Sequence, residues 1–432
     1  MKQKFTLGLV SIVLTFTACN SAEDVNAPNL NEEEGLEMVM TPQEALEAAQ
    51  RAASEFYPAQ SRSNGMTASI NNVKPVYKSL SRTDADMAFY VVNFDNDNGF
   101  AFINPNKYGA EVIGISDKGN YNLTDKSKNP EGLNDMVDYI VATSVGAGGM
   151  NPPTIYPGLK PWYDTVDTLL YDIVEPKVEA TWNQTGYFGK HCSNGIAGCV
   201  PVAVGMSLSY LGGPENIKLN FANAPVSKID LPWSLLKYVG HPQIYESGSF
   251  TDVNGFSAKD LVGLLLRELG HRMGSVYYDE YSSGGVRTGT QFEQIQLLIS
   301  NLMAGTSSYC MEVVGYTSKF SVPKNTIKNN IAIVTAKRAN GNAHAWIADG
   351  YRDVEIKYSS TIESTTTGIA TTESETVKYY YVHMNWGWGG VANGYFDPNV
   401  LDTNKILIKD YKNLGNADVC YDHDFHYLYV VK

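Results

Sequence analysis

Two residues of the sequence have the type and the local context for nucleophilic catalysis, Cys199 and His344. Cys199 directly precedes an apolar run from Val200 to Leu211, which predicts a buried helix ending at a Gly-Gly-Pro stop signal. The partial positive charge at a helix N-terminus favours the thiolate over the thiol. We therefore predict that Cys199 is a nucleophile, although a cysteine at a random position is more often a small buried apolar residue.

A thiolate that attacks an amide needs a base that later protonates the leaving amine, and histidine has a suitable pKa. His344 stands at the start of a predicted strand, Ala343 to Tyr351, which is entered from a Gly-Asn turn. This position is expected to present the imidazole to a cleft. His383 remains a rival base, because it would share one strand face with Asn385. The other five histidines lie in polar or chain-end contexts and are expected at the surface.

Acyl transfer also needs hydrogen-bond donors for the oxyanion and a group that orients the imidazole. The side-chain amide of Gln184 and the backbone N–H of Cys199 can supply two donors. The string Asn385-Trp386-Gly387-Trp388-Gly389-Gly390 offers an amide and an indole, followed by glycines that let the backbone approach closely. Cys192 is a rival nucleophile beside His191, but a Ser-Asn-Gly turn follows it instead of a helix.

These motifs together resemble the streptopain family of papain-like cysteine proteases. The shared motifs run through residues 180 to 400 in the family's order: Gln184, Gly198-Cys199-Val200, Ala343-His344-Ala345, Asp349-Gly350, the Asn-Trp-Gly-Trp-Gly-Gly string and Asn393-Gly394-Tyr395-Phe396. The resemblance implies an α+β papain-like fold, with a helical lobe and an antiparallel sheet lobe, preceded by an α+β inhibitory propeptide domain. It implies neither a metal nor an organic cofactor.

The resemblance also assigns roles to single residues. It implies that Cys199 is the nucleophile, His344 the general base and acid, and Gln184 an oxyanion-hole donor. Trp386 is expected to place its ring beside the histidine. Asn385 falls where the wider papain-like group has an imidazole-orienting asparagine, although the streptopain family is usually described as working with a Cys/His pair.

The substrate cleft is expected to be lined by a mobile glycine-rich loop and by residues near the histidine. These residues are Ser282, Ser283, Gly284, Gly285, Ala343 and Trp388. The chain departs from the family at two places. Pro201-Val202-Ala203 stands where Ala-Thr-Ala is common, which suits a helix start. Ala343 stands where glycine commonly precedes His-Ala, and its methyl group bears on substrate preference more than on the chemistry.

Local signals predict the elements that position these residues. Thr41-Pro42-Gln43-Glu44 is a capping box with proline at the first helical position, which predicts a helix of about 16 residues. Further helices are predicted over Ser257–Leu269 and Thr290–Met303, and strands over Phe89–Phe94, Phe100–Ile103, Asn330–Lys337, Ala343–Tyr351, Lys378–Asn385 and His426–Val431. The segment Ser359 to Thr376 has no obvious family counterpart and predicts an exposed hairpin insertion.

A glycine- and proline-rich break from Gly146 to Pro153 predicts a domain boundary between about 145 and 175. The predicted organisation is a lipoprotein or secretory signal over 1–19, a flexible tether over 20–40, an inhibitory propeptide domain over 41–150, a linker with a processing site over 151–175, and a papain-like catalytic domain over 176–432.

The first 19 residues have the pattern of a secretory signal. Lys2 and Lys4 precede an apolar run that is too short to span a bilayer. Phe16-Thr17-Ala18-Cys19 resembles a bacterial lipobox, so we predict lipid attachment at Cys19. The chain would then be a bacterial outer-membrane lipoprotein, in the periplasm or at the cell surface. Plain secretion, or release after processing, is the alternative.

Composition excludes other classes of function. The 432 residues carry a net charge of −13, which repels nucleic acids. Five cysteines are too few for a disulfide scaffold, and none has zinc-finger spacing. We predict a cysteine endopeptidase, made as a secreted or lipid-anchored zymogen, that cuts protein or peptide substrates through a thioester and is inhibited by its own propeptide. The alternatives are a non-catalytic lipoprotein that binds peptides in the same cleft and a related acyl transferase.

Overall fold

The computed structural model describes residues 39–58, 65–78, 87–106, 111–143, 159–213, 231–241, 256–282, 285–317, 322–337, 343–364, 367, 370–398 and 423–432. Their helices are α1 (Pro42–Phe56), α2 (Glu131–Thr143), α3 (Cys199–Tyr210), α4 (Trp233–Leu236), α5 (Ala258–Arg272), α6 (Glu293–Leu302) and α7 (Lys324–Asn329). Their strands are β1 (Val73–Tyr77), β2 (Met87–Asn93), β3 (Phe100–Ile103), β4 (Val112–Ser116), β5 (Leu159–Val174), β6 (Val276–Tyr278), β7 (Arg287–Gly289), β8 (Tyr309–Thr317), β9 (Ile331–Lys337), β10 (Ala343–Ser364), β11 (Ala370–Asn385), β12 (Gly394–Phe396) and β13 (His423–Val431).

Helix α1 begins with the predicted capping box. Thr41 Oγ1 accepts the backbone N–H of Glu44 at 3.3 Å, and the Glu44 carboxylate accepts the backbone N–H of Thr41 at 2.7 Å. Pro42 occupies the first helical position, where no intrahelical partner is lost. The buried face of α1 is rich in alanine, comprising Ala45, Ala48, Ala49, Ala52 and Ala53. These small side chains let the helix lie close to the sheet.

Helix α3 begins at Cys199, as the sequence predicts. Gly198 precedes it with φ of 93°, a left-handed conformation that glycine adopts without steric cost. All residues from Val200 to Ser209 are buried, so α3 is a core helix. The helices predicted over 257–269 and 290–303 are also confirmed, as α5 and α6.

Most strands join one antiparallel sheet. Its order is β1-β2-β3-β4-β12-β11-β10-β9-β13-β8, and β5 pairs with β10 beside β9. Strands from the predicted propeptide meet the predicted catalytic region where β4 pairs with β12. There Gly114 lies opposite Phe396, and Ile115 lies opposite Tyr395. Residues 38–432 form one compact unit.

The two faces of β10 contact different helices. Ala345 and Ile347 pack in a core that includes buried residues of α3, α5 and α6. Trp346 and Ala348 point to the opposite face, as strand alternation requires, and share a core with residues of α2 and β3. Helix α2 therefore covers sheet residues on both sides of the β4–β12 junction. The predicted α+β arrangement is confirmed.

Strands β10 and β11 form a long hairpin that reaches beyond their predicted ends. Their pairing continues to Glu363 and Ala370, which confirms the hairpin predicted over Ser359 to Thr376. On its other edge β10 pairs with β5, as far as Ser364 opposite Leu159. The segment 159–174 of the predicted linker is thus a strand rather than a coil. Residues 144–158 lie outside the described residues, so the processing site stays a prediction.

Among the described residues, no helix has the combination of length and apolar character that a membrane span requires. The predicted signal over 1–19 and the lipid-attachment residue Cys19 lie outside the described residues.

Candidate active site

The Cys199 sulfur lies against strand β10. The backbone N–H groups of Ala345, Val200 and Cys199 itself lie close enough to the sulfur to favour its charged form. The residue is partly buried and packs against the core that contains Ala345. Burial raises the pKa of the Cys199 thiol more than the three N–H groups lower it. The prediction of a thiolate favoured by the helix N-terminus is therefore wrong for this form of the chain, because lost hydration outweighs the backbone donors.

The imidazole of His344 lies in a stack of tryptophan rings. Its centroid is 5.2 Å from Trp388, 6.0 Å from Trp346 and 6.4 Å from Trp386, with interplanar angles of 21°, 17° and 22°. Nε2 of His344 is 3.0 Å from the carbonyl oxygen of Trp386. Because a carbonyl oxygen only accepts, Nε2 carries the proton in this contact. The Asn-Trp-Gly-Trp-Gly-Gly segment thus holds His344. The next residue in the sequence is Ala345, whose N–H lies near the Cys199 sulfur.

The Asn-Trp-Gly-Trp-Gly-Gly segment is fastened to the chain just before Gln184. Asn385 Nδ2 donates to the carbonyl oxygen of Ala180 at 2.9 Å, and its Oδ1 accepts the N–H of Gly387 at 3.4 Å. The N–H of Gly389 donates to the carbonyl oxygen of Trp182 at 3.0 Å. Asn385 therefore anchors this segment here, and its proposed role in orienting the imidazole stays a prediction.

Gln184 is hydrogen-bonded to the segment that leads into Cys199. Its carbonyl oxygen accepts the N–H of Ala197 at 2.8 Å, two residues before Cys199. This bond links the backbones that carry the two predicted oxyanion donors, the Gln184 side chain and the Cys199 N–H. Trp386, the remaining predicted catalytic residue, has its ring stacked 5.3 Å from that of Trp388.

The predicted cleft residues fall in two places. Ser282 and Gly285 belong to the turn between β6 and β7, where the N–H of Gly285 donates to the Ser282 carbonyl at 2.9 Å. Ser283 and Gly284 lie outside the described residues. Ala343 is exposed at the start of β10, and Trp388 is half-buried beside His344.

The rival base His383 and the rival nucleophile Cys192 have other surroundings. His383 Nδ1 is 2.6 Å from Asp349 Oδ1, and both side chains are buried. The other oxygen of Asp349 accepts the N–H groups of Lys177 and Val178, so this pair fastens β10 and β11 to the chain before the active site. Burial raises the pKa of Cys192. The family resemblance includes the Asp349-Gly350 motif but assigns no role to the aspartate.

A lysine from the predicted propeptide reaches the active-site segment, which sequence reasoning missed. Lys118 follows β4, and its Nζ donates to the carbonyl oxygen of Gly389 at 2.9 Å. The carbonyl oxygen of Lys118 accepts the N–H of Ala392 at 3.2 Å. Burial lowers the pKa of Lys118. The local sequence carries no signal for this contact, which joins residues 271 positions apart.

No group of three or more His, Cys, Asp or Glu side chains within the described ranges is arranged to hold a metal ion.

Comparison with known proteins locates two families along the chain. The model of the peptidase C10 family matches residues 181–396, and the model of the Spi protease inhibitor matches residues 37–141. No curated protein matches the sequence. A solved fragment of prointerpain A from Prevotella intermedia is similar in structure, with 15% identity and a TM-score of 0.44 over 82% of this chain and 98% of that one.

The peptidase match contains Gln184, Cys199, His344 and Asn385, and the inhibitor match contains α1 and β1 to β4. The predicted streptopain-type peptidase with an inhibitory propeptide is thereby confirmed. The chain belongs to the peptidase C10 family and is a cysteine protease zymogen whose inhibitor segment precedes its peptidase part.

Proposed function

We propose that this zymogen yields an endopeptidase that cuts peptide bonds through a thioester on Cys199, with His344 as general base and acid. The observation that carries the proposal is the position of the Cys199 sulfur near the Ala345 N–H, with Cys199 packed against the core that contains Ala345. It places the nucleophile at the start of α3 against the strand residue that follows His344. This position supports a catalytic pair of Cys199 and His344, which are 145 positions apart in sequence.

The proposed reaction begins when the imidazole takes the thiol proton and the sulfur attacks the carbonyl carbon of the peptide bond. The C–N bond breaks as the imidazolium gives its proton to the leaving amine, and a thioester remains on Cys199. Water then attacks the thioester carbon while the imidazole accepts a proton from that water. The C–S bond breaks, and the proton returns to the sulfur. The sum is one peptide bond hydrolysed by one water molecule.

Gln184 and the Cys199 N–H are proposed to stabilise the oxyanion that forms in both steps. The backbone link from Gln184 to Ala197 supports this pairing, because it fixes the two donor-bearing segments against each other. Trp386 is proposed to pack beside the imidazole, and Asn385 to orient it after processing.

Features of the described form support inhibition by the propeptide. Burial raises the pKa of the Cys199 thiol, and the His344 imidazole is hydrogen-bonded to the Trp386 carbonyl oxygen. The propeptide holds the same region through Lys118 and through the pairing of β4 with β12. We propose that removal of residues up to the 151–175 segment frees this region, leaving a catalytic domain within 176–432. Protein or peptide substrates would then enter beside Ser282, Gly285, Ala343 and Trp388.

Trapping the acyl-enzyme tests the mechanism. The full chain is processed, mixed with a slowly hydrolysed peptide ester, quenched in acid and analysed by intact mass. We expect one acyl group on the wild type and on Cys192→Ala, and none on Cys199→Ala. An acyl group or turnover in Cys199→Ala would reject the nucleophile. Transfer to an added primary amine in preference to water would instead identify an acyl transferase.

We also propose that the chain is exported and carries a lipid on Cys19, by the lipobox-like Phe16-Thr17-Ala18-Cys19. Cells fed a radioactive fatty acid should label the wild type but not Cys19→Ala. The variant should also leave the membrane fraction. Equal labelling of both proteins would contradict the anchor.

A further inference from the structure

The loop that leads into the nucleophile is held by a hairpin on the helical side. The hairpin consists of β6 and β7, and its contact with the loop is made by Asn194 and Thr288. Asn194 Nδ2 lies 3.1 Å from the Tyr278 carbonyl oxygen, 2.9 Å from the Arg287 carbonyl oxygen and 3.2 Å from Thr288 Oγ1. Tyr278 and Arg287 are opposite each other in the hairpin, so one amide group fastens both strands to the loop.

The same two residues also shape the loop itself. Asn194 Oδ1 accepts the N–H of Ile196 at 2.9 Å, which closes a turn just before the nucleophile. Thr288 Oγ1 donates to the carbonyl oxygen of Ile196 at 2.7 Å. The amide group, the hydroxyl and the Ile196 carbonyl therefore form a continuous chain of hydrogen bonds, in which the hydroxyl both accepts and donates.

This chain of hydrogen bonds ends beside Gly198, whose conformation decides where the Cys199 N–H points. Gly198 has φ of 93° and ψ of 150°. A Cβ placed on it would lie 3.0 Å from the Thr288 methyl carbon, so Thr288 packs directly on this glycine. Because ψ of Gly198 sets the plane of the Gly198–Cys199 peptide, a shift of the loop would turn the Cys199 N–H.

We infer that Asn194 and Thr288 are positioning residues that aim the Cys199 N–H at the oxyanion. This inference rests on the proposed function, since that N–H is there one of two oxyanion donors. The hydrogen bonds of Asn194 and Thr288 act on the backbone of the loop before Cys199, and not on the sulfur or the substrate. Its loss is expected to lower stabilisation of the transition state while leaving the thiol able to react.

The test measures transition-state stabilisation and thiol reactivity separately, in the product that is obtained by processing the full-length chain. Each variant is processed by the same external protease, which is then inhibited. One measurement is peptide hydrolysis, as kcat and KM. The other is alkylation of Cys199 by iodoacetamide, followed by peptide mass mapping. Alkylation displaces iodide at a saturated carbon and forms no oxyanion, so it reports the thiol alone.

Thr288→Val removes the hydroxyl and keeps the shape. We expect kcat to fall about tenfold, less than the 10²-fold or greater loss of a whole oxyanion donor, with KM and the alkylation rate within about twofold. Thr288→Ser restores the hydroxyl and should recover most of kcat. Asn194→Ala should show the same split with a larger fall in kcat, because it loses every bond of the amide.

Thr290→Val is the matched control. Thr290 follows β7, and its hydroxyl is bonded to Ser275 Oγ at 2.6 Å, away from the nucleophile loop. It should leave kcat unchanged. An unaffected kcat in Thr288→Val, a parallel fall in alkylation, or an equal loss in Thr290→Val would each overturn the inference. A wild type without peptidase activity would overturn the proposed function and this role with it.

Discussion

Helices α1 and α3 both pack on the central sheet, but they are buried to different extents. Helix α1 buries its alanine face and Phe56, while Gln43, Glu47 and Arg51 stay exposed. In α3 every residue from Val200 to Ser209 is buried. A helix with one exposed side is docked on a surface, whereas a helix enclosed on all sides belongs to a core. The difference teaches that α1 is docked on the sheet, whereas the helix that begins at Cys199 is part of the core.

The C-terminal end of α1 makes its strongest contacts with the peptidase part. The Phe56 ring lies 5.1 Å from Tyr381 and 5.5 Å from Tyr395, both in edge-on arrangements. The buried Arg352 donates to the carbonyl oxygen of Phe56 at 2.8 Å, where a helix end leaves carbonyls unsatisfied. Glu175 completes the pairing of this arginine at 3.0 Å. These contacts make α1 the part of the inhibitor segment to weaken by mutation.

The largest effect on the α3 side, short of replacing the nucleophile, is expected from Gln184→Ala. The change removes a proposed oxyanion donor and should lower kcat of the processed enzyme by about 10²-fold with little change in KM. Steady-state hydrolysis of a peptide substrate measures both values. Gln291→Ala, at an exposed glutamine of the peptidase part just before α6, is the matched control and should not change them. An unaffected kcat in Gln184→Ala would reject its role without rejecting the peptidase.

An opposite effect is expected on the α1 side. Phe56→Ala removes the ring that packs on Tyr381 and Tyr395, so the inhibitor segment should dock more weakly. Alkylation of Cys199 in the unprocessed chain should become about tenfold faster, while kcat after processing should not change. Arg51→Ala is the control, because its ion pair with Glu111 lies on the exposed side. An unchanged alkylation rate in the unprocessed Phe56→Ala chain would show that the docking of α1 does not control access to Cys199.

The smallest effect concerns the pH at which the thiol reacts. Burial raises the pKa of Cys199 in the zymogen, so less thiolate is present at neutral pH and alkylation is slower there. The inflection of the alkylation rate with pH should lie above that of an ordinary cysteine before processing and move to lower pH afterwards. Rates measured across alkaline pH on both forms check this. Identical profiles would mean that the inhibitor segment does not control the environment of the sulfur.

Local signals in the sequence predicted the elements on both sides of this comparison. The capping box at Thr41 and the glycine stop after α3 depend on a few neighbouring residues. The motifs around Cys199 and His344 likewise sufficed to identify the family. Such features are readable because their causes lie within one or two helical turns.

Features that depend on distant residues were not predictable from these signals. The pairing of β4 with β12 and the reach of Lys118 to Gly389 join residues more than 250 positions apart. The raised pKa of Cys199 arises from enclosure by several elements, whereas the helix N-terminus alone suggested the opposite shift. Strand β5 is different: it was expected as part of the linker although its own sequence, from Trp162 to Val174, is rich in the aromatic and β-branched residues typical of a strand.

The central claim is that Cys199 is the nucleophile of a protease held inactive by its own N-terminal segment. Intact-mass analysis of the purified zymogen tests it most directly, with wild type and Cys199→Ala incubated under reducing conditions with an unstructured protein. We expect the wild type to lose its inhibitor segment and degrade the substrate, while the variant stays whole. If the wild type leaves the substrate intact even after external cleavage between residues 145 and 175, the cleft binds peptides without cutting them and the claim is contradicted.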